Sequence, residues 1–412
     1  MNTISFTPSV TFRSNTTMKK VDNSPRLGNA TLAVDTIERP AGIFDTREKA
    51  VKTTLGLLKS ALNGEKADAS LMKGATYQDW DKLIKIANNS AVTPMVYDAV
   101  KEFPEGSVPP KILQRMKNLT LQSEFQHAIQ EDAITDLSDK FAKQGIETIQ
   151  LKGIGFSMNY PVPQHRFGGD IDIFTRKEGT TTDGYSNSWN ETNKIMLNEG
   201  VNVEDYKRKH HKHSEFKYKG ANIENHNYFL NKESIPDAKK IDAYLHKVIN
   251  PREQALPNGT KILVPSKEFN SVFMAHHAFQ HFAFGGLNMH NLTDWAVLLK
   301  KDGLNFPDEL KGTKFEKFVY AFTGLSNKFL GTNVKVPEDK EYEQKIFEKM
   351  TTPPPKFVPA HKNRALAFVD KMKWVYNNEK AAAEYTGGSA KKAMVDLLLQ
   401  NLTNPKSILR KV

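Results

Sequence analysis

The sequence predicts an α+β protein in which a mixed sheet with helices is flanked by N- and C-terminal helical units. Three observations predict it. Apolar residues recur at helical spacing across 45–144, short β-branched and alternating runs replace them across 145–264, and helical spacing returns across 265–392. Outside these units lie a polar arm, 1–44, and a basic tail, 393–412.

The arm carries Asn-Ser-Pro and Arg-Pro punctuation without periodicity, the composition of a disordered segment. In the N-terminal unit, Ala50, Leu55, Leu57, Leu58 and Leu62 form one amphipathic stripe, and Trp80, Leu83, Ile84, Ile86 and Ala87 form a second, read as core. Pro109 and Pro110 open a long helix running through Leu119, Phe125, Ile129, Ile134, Leu137 and Phe141. At Gly145 the rhythm changes. Ile146 to Leu151 reads as a buried strand ending in a turn at Gly153, and a helix from Ile154 to about Tyr160 stops at Pro161 and Pro163. GGDIDIF is a strand with Ile171 and Ile173 on one face and Asp170 and Asp172 on the other. Residues 184–206 read as helical, and Ser214–Tyr218 and Ala221–Phe229 as a hairpin around Lys219-Gly220. Helices follow at Phe269–Phe282 and Leu292–Leu299 and on to about Lys392, interrupted by the three prolines at 353–355.

Composition bounds the function. The 412 residues, 39% hydrophobic and 10% aromatic, suffice for packed cores. With 58 Lys+Arg against 47 Asp+Glu the formal charge is +11, which favours polyanionic partners such as triphosphates, nucleic acid or an anionic surface. The absence of cysteine excludes disulfides, thiolate catalysis and Cys-based zinc sites. No apolar run approaches the roughly 20 residues that span a bilayer. The first forty residues have no secretory h-region, so the cytoplasm is the expected location; their Ser/Thr/Asn-rich, acid-poor composition also suits an organellar transit peptide.

The chemistry concentrates in IQLKGIGFSMNYPVPQHRFGGDIDIF. Two carboxylates at i and i+2 of a strand project side by side, so Asp170 and Asp172 can hold one or two hard divalent cations, Mg2+ or Mn2+. Gly153 lets the backbone approach phosphate oxygens, and the start of the following helix offers free N–H groups. Lys152 or Arg166 could then offset phosphate charge. Each part alone is weak, since D-x-D is commonly solvated surface and Lys-Gly commonly only a turn. Their conjunction in one stretch carries the reading.

Three elements, Leu151-Lys152-Gly153, Tyr160-Pro161-Val162-Pro163 and Arg166-Phe167-Gly168-Gly169-Asp170-Ile171-Asp172, resemble the L-K-G, Y-P-x-P and R-x-x-G-D-[IV]-D motifs of the uncharacterised nucleotidyltransferase family of the polymerase-beta-like superfamily. Residues 79–100, ANIENHNYF (221–229) and MAHHAFQHF through NLTDWAVLL are similar to further family segments, so the likeness covers about residues 50–300. The resemblance implies a polymerase-beta-like core, a nucleoside triphosphate as co-substrate and magnesium or manganese on Asp170 and Asp172. It also implies a third carboxylate from a neighbouring strand. Glu224, sharing a strand face with His226, is the candidate, to complete the metal site or act as general base, and Glu215 is its competitor. Lys152, Gly153, Arg166, Gly169 and His226 are the expected nucleotide-binding residues. The acceptor is unidentified: a small molecule, a protein or an RNA end. Lys-Gly stands where the wider superfamily has Gly-Gly or Gly-Ser, and the gap before the aspartates is longer.

Rival readings are a D-x-D glycosyltransferase, which wants a nucleotide-binding α/β domain where 45–144 reads as helices, and a non-catalytic binding or toxin–antitoxin member of the fold. KRKHHKHSEFKYK (207–219) is either a solvated strand edge or a clamp for phosphates. His210, His211 and His213 could bind zinc but lack an obvious fourth ligand. His277 and His281 share a helix face without the glutamate of H-E-x-x-H, and Asp294-Trp295 reads as cap and packing.

Overall fold

The computed structural model describes residues 42–177, 188–204, 212–230, 235–352, 357–358, 360–391 and 395. Most of the arm, the basic tail apart from Val395, His210, His211 and the prolines at 353–355 lie outside the described residues.

Local signals start and stop the N-terminal helices. Thr46 caps α1 (Arg47–Asn63), which ends at Gly64 with φ 65°. Thr76 and Asp79 form a reciprocal capping box on α2 (Tyr77–Asn89), and Asp79 also accepts the amides of Ile43 and Phe44. α3 (Thr93–Val100) carries proline in its first turn, as does the 33-residue α4 (Pro110–Ala142). That length makes α4 about 50 Å long. Its N-terminal half buries Ile112 and Met116 among the other helices, and its C-terminal half buries Ala133, Ile134, Leu137 and Phe141 under the sheet.

Six strands follow in the order β3-β4-β2-β1-β6-β5. They are β1 (Ile146–Gln150), β2 (Ile171–Lys177), β3 (His213–Tyr218), β4 (Ala221–His226), β5 (Arg252–Ala255) and β6 (Lys261–Val264). Between β1 and β2 lies the short α5 (Ile154–Ser157), between β2 and β3 α6 (Trp189–Asn198), and between β4 and β5 α7 (Ala238–Val248). The sheet is mixed: β2 runs parallel to β4 and β1 to β6, while β1–β2, β3–β4 and β5–β6 are antiparallel. At the β3–β4 turn Lys219 (φ 46°) and Gly220 (φ 87°) are both left-handed, the conformation a two-residue hairpin with right-handed strand twist requires.

The β5–β6 hairpin and α7 are additions to the sequence reading. Each strand of the hairpin has four residues and a polar neighbour, too little alternation to register, yet Asn258-Gly259 between them is a strong hairpin signal. The helix expected at Ile154–Tyr160 is also shorter, a single turn ending at Ser157.

After the sheet come α8 (Lys267–Phe284), α9 (Met289–Asp302), α10 (Lys314–Leu330), α11 (Lys340–Thr351) and α12 (Arg364–Thr386). One sheet face, with Ile146, Ile171, Ile173, Phe216 and Ile223, packs on α4 and α6. On the opposite face Ile149 and Phe174 join a larger cluster that runs from Phe44 in the N-terminal segment to Met350 in α11. No helix among the described residues is long and apolar enough to cross a membrane.

Candidate active site

The period of two that buries Ile171 and Ile173 turns Asp172 to the other face of β2, and β4 does the same for Glu224 and His226. Strand register brings these together. Asp172 pairs with Glu224 across the parallel β2–β4 ladder, and β3 sets His213 opposite His226 and Glu215 opposite Glu224. Residues paired in register share a face, so one patch of the sheet carries Asp172, Glu224, Glu215, His213 and His226. Asp170, just ahead of β2, stands exposed at its edge. The candidate third carboxylate is therefore beside the aspartates; Glu215 is one strand further out and 54% exposed, against 20% for Glu224.

Asp172 is the buried centre, 1% exposed. Its Oδ1 lies 3.3 Å from Lys152 Nζ and 3.0 Å from His226 Nε2. Burial alone would raise its proton affinity, but these two partners hold it far below the usual carboxylate range. Asp170 goes the other way: partial burial first, then the charge of Glu224, push its pKa up. Glu224 is held down against burial chiefly by His226. Its Oε2 lies 3.5 Å from His213 Nδ1 and 3.6 Å from His226 Nε2, and these three side chains could together hold a metal ion.

The turn after β1 is built around Gly153, with φ 70° and ψ −129°. A Cβ there would stand 3.3 Å from the Asp170 carbonyl oxygen, so glycine permits both the backbone conformation and the approach of this turn to the aspartates. From below, Gln130 of α4 donates to the carbonyls of Gly168 (3.2 Å) and Gly169 (2.9 Å). Gly169 itself is exposed, with nothing within 4 Å of where a Cβ would stand.

Arg166 departs from the expected place on the phosphates. It is buried, its Nε and Nη2 each donate at 2.8 Å to the two oxygens of Asp294, and Nη1 donates at 3.0 Å to the Gly153 carbonyl. Tyr160 donates to the same Asp294 at 2.5 Å. The guanidinium is spent on the scaffold, tying the turn before the aspartates to α9, because a buried arginine needs a carboxylate to compensate its charge. Asp294 is thus more than a helix cap. Pairing between residues 128 apart has no local signal, although both lie in segments singled out above. The expected N–H cradle is likewise reduced to a single turn, Ile154–Ser157, with a correspondingly small dipole.

Further groups surround the patch. His277 and His281 of α8 contact each other, Nε2 to Nε2 at 3.2 Å, and burial followed by the charge of Lys152 keeps both rings neutral, His281 at about 4. Lys212 is pulled down by burial and by Lys152, with Asp172 and Glu224 opposing. Of the basic strip, Lys217 is exposed on the Glu224 face of β3, whereas Lys219 turns away to Asp136 (3.0 Å) and Asp132 (3.4 Å) of α4.

The profile of the uncharacterised nucleotidyltransferases matches residues 76–331, from the start of α2 to the end of α10. The chain belongs to this family. The nucleotidyltransferase match encloses the β2–β4 patch, the Gly153 turn and the Arg166–Asp294 pair alike. Among solved structures it is similar, at 10% identity, to a crystal structure of an antigenic nucleotidyltransferase-like protein from Paracoccidioides brasiliensis, covering 54% of this chain and 93% of that one with a TM-score of 0.32. No curated protein matches the sequence.

Proposed function

We propose that this nucleotidyltransferase moves a nucleoside monophosphate from a nucleoside triphosphate to an acceptor hydroxyl, using a polymerase-beta-like core. The observation that carries the reading is the register that sets Glu224 opposite Asp172, with Asp170 at the same edge and the Gly153 turn against it. The donor set suits a hard divalent cation: Asp170, Asp172 and Glu224 offer oxygens only, and burial together with the charge of Glu224, which raise Asp170, are what a bound cation would offset. When bound, Mg2+ or Mn2+ neutralises triphosphate charge and lowers the pKa of the attacking hydroxyl.

The chain's own residues supply the rest. Lys152, held at 3.3 Å from Asp172, extends its ammonium charge toward the triphosphate and offsets charge developing on the leaving pyrophosphate. Glu224, the more accessible of the two strand carboxylates, accepts the acceptor's proton as its oxygen bonds to the α-phosphorus and the bond to pyrophosphate breaks. His226 donates to Asp172 and keeps that carboxylate ionised and oriented. Arg166 positions the Gly153 turn through its carbonyl, its Nε and Nη2 being taken up by Asp294. The acceptor is a small hydroxyl compound, a protein side chain or an RNA end.

Thermal unfolding of wild type and of the Asp170→Ala/Asp172→Ala protein, with each triphosphate with and without magnesium, tests this directly. A magnesium-dependent rise in wild type that disappears in the variant supports the reading and identifies the donor. Absence of any shift in folded wild type overturns it; stabilisation by nucleotide sugars instead moves the assignment to glycosyl transfer.

A further inference from the structure

We infer that His213, Glu224 and His226 form a second cation position, selective for a borderline first-row divalent ion such as Zn2+ over Mg2+. It shares Glu224 with the reading above but requires neither nucleotide nor turnover.

The tautomers fixed by hydrogen bonding point to it. His213 Nε2 lies 3.1 Å from the Glu215 carboxylate, so that nitrogen carries the proton and donates. His213 Nδ1 is then a lone pair, buried, without a hydrogen-bond partner among the described residues, and 3.5 Å from Glu224 Oε2. His226 holds Nδ1 on the Tyr228 carbonyl at 3.1 Å, so the nitrogen that exchanges its proton for a metal ion is Nε2, which donates to Asp172 Oδ1 at 3.0 Å and lies 3.6 Å from Glu224 Oε2. The His213 lone pair and the Glu224 oxygen facing one another repel unless a cation lies between them. Metal-binding histidines characteristically hold their second nitrogen on a carboxylate or a backbone carbonyl, the two partners found here.

The spacing also fits. Metal–ligand bonds of about 2.0–2.1 Å in a tetrahedral site separate the ligands by about 3.3 Å. All three donor atoms lie within 4.8 Å of one another, which leaves the fourth tetrahedral position to water. Two imidazoles and a carboxylate are the donors of zinc and other borderline ions, whereas magnesium takes oxygens and retains water. Strand pairing alone assembles the group, since His213 and His226 are partners in the β3–β4 ladder.

The test uses the full chain, stripped with chelator and free of nucleotide, titrated with Co2+ in excess Mg2+. Visible absorption reports nitrogen ligation in a low-coordinate site, and bound metal is counted after gel filtration. One equivalent of cobalt with intense visible bands, displaced by Zn2+ and not by Mg2+, is expected. His213→Ala should weaken binding at least tenfold. Glu215→Gln, at an exposed position where misfolding is not a concern, should weaken it about tenfold by releasing the His213 ring. Asp170→Asn, which removes an oxygen donor of the magnesium reading and no imidazole, should leave the cobalt bands intact. Weak six-coordinate bands, displacement by Mg2+, or an affinity unmoved by both His213→Ala and Glu215→Gln overturns the assignment. Loss of the bands in Asp170→Asn alone would mean that cobalt had entered the carboxylate site, and also overturns it.

Discussion

Arg166 and Asp294 form a two-pronged ion pair, both contacts 2.8 Å, with both side chains almost wholly buried. The pair joins the strand-leading segment that carries the aspartates to α9, and its third nitrogen holds the Gly153 carbonyl. Removing one partner of such a pair leaves a buried charge uncompensated, at about 3–5 kcal/mol. Asp294→Asn is therefore expected to lose stability on that scale in urea unfolding. Arg166→Lys should also fail to restore it, since an ammonium cannot reproduce the planar fork. A loss below about 1 kcal/mol in both would show that the pair is dispensable.

Gly153 combines a left-handed φ with a backbone oxygen of Asp170 only 3.3 Å from where a Cβ would stand. Gly153→Ala should cost about 1–3 kcal/mol. It should also displace Asp170, so the midpoint of triphosphate-dependent stabilisation should move to higher nucleotide concentration. Wild-type behaviour in both measurements would mean that the turn adapts freely.

His276 is buried against Phe279 and Phe315 with neither ring nitrogen partnered among the described residues, and burial, then the charge of Lys212, lowers its pKa to about 3. The unfolded chain takes up this proton near pH 6.5 and the folded chain only near 3, so stability falls as pH drops through that window. His281 and His290, each at about 4, act in the same direction. The slope for one proton is at most about 1.4 kcal/mol per pH unit. His276→Leu should keep its stability at about pH 7 and lose less than wild type between about pH 6 and about pH 4. Parallel curves for the two proteins would contradict the burial of a neutral ring.

Lys152 is ion-paired to Asp172, and the proposed function has its charge act on the triphosphate. Lys152→Met should reduce nucleotidyl transfer by about 100-fold or more if its charge acts on the transition state. The fall should appear in kcat as well as kcat/KM, measured once a donor is known. A change confined to KM would assign Lys152 to ground-state binding alone.

The sequence by itself determined the helical units, the strands at Ile146, Ile171 and Ala221, and the hairpin at Lys219-Gly220, because each rests on a local period or a turn residue. It also determined the motif that places this chain among the nucleotidyltransferases. Tertiary structure decided which residues meet. That Glu224 rather than Glu215 lies directly beside Asp172 follows from β4, not β3, pairing with β2, a choice between edges that no local period encodes. The same holds for Arg166, whose charge looks free for phosphate along the chain and is consumed by Asp294 in space. His213 and His226 are similar: thirteen positions apart on β3 and β4, they become neighbours only when register brings two imidazole nitrogens onto one carboxylate oxygen. Local sequence specifies faces and turns; long-range pairing specifies partners, and the chemistry of this site is made of partners.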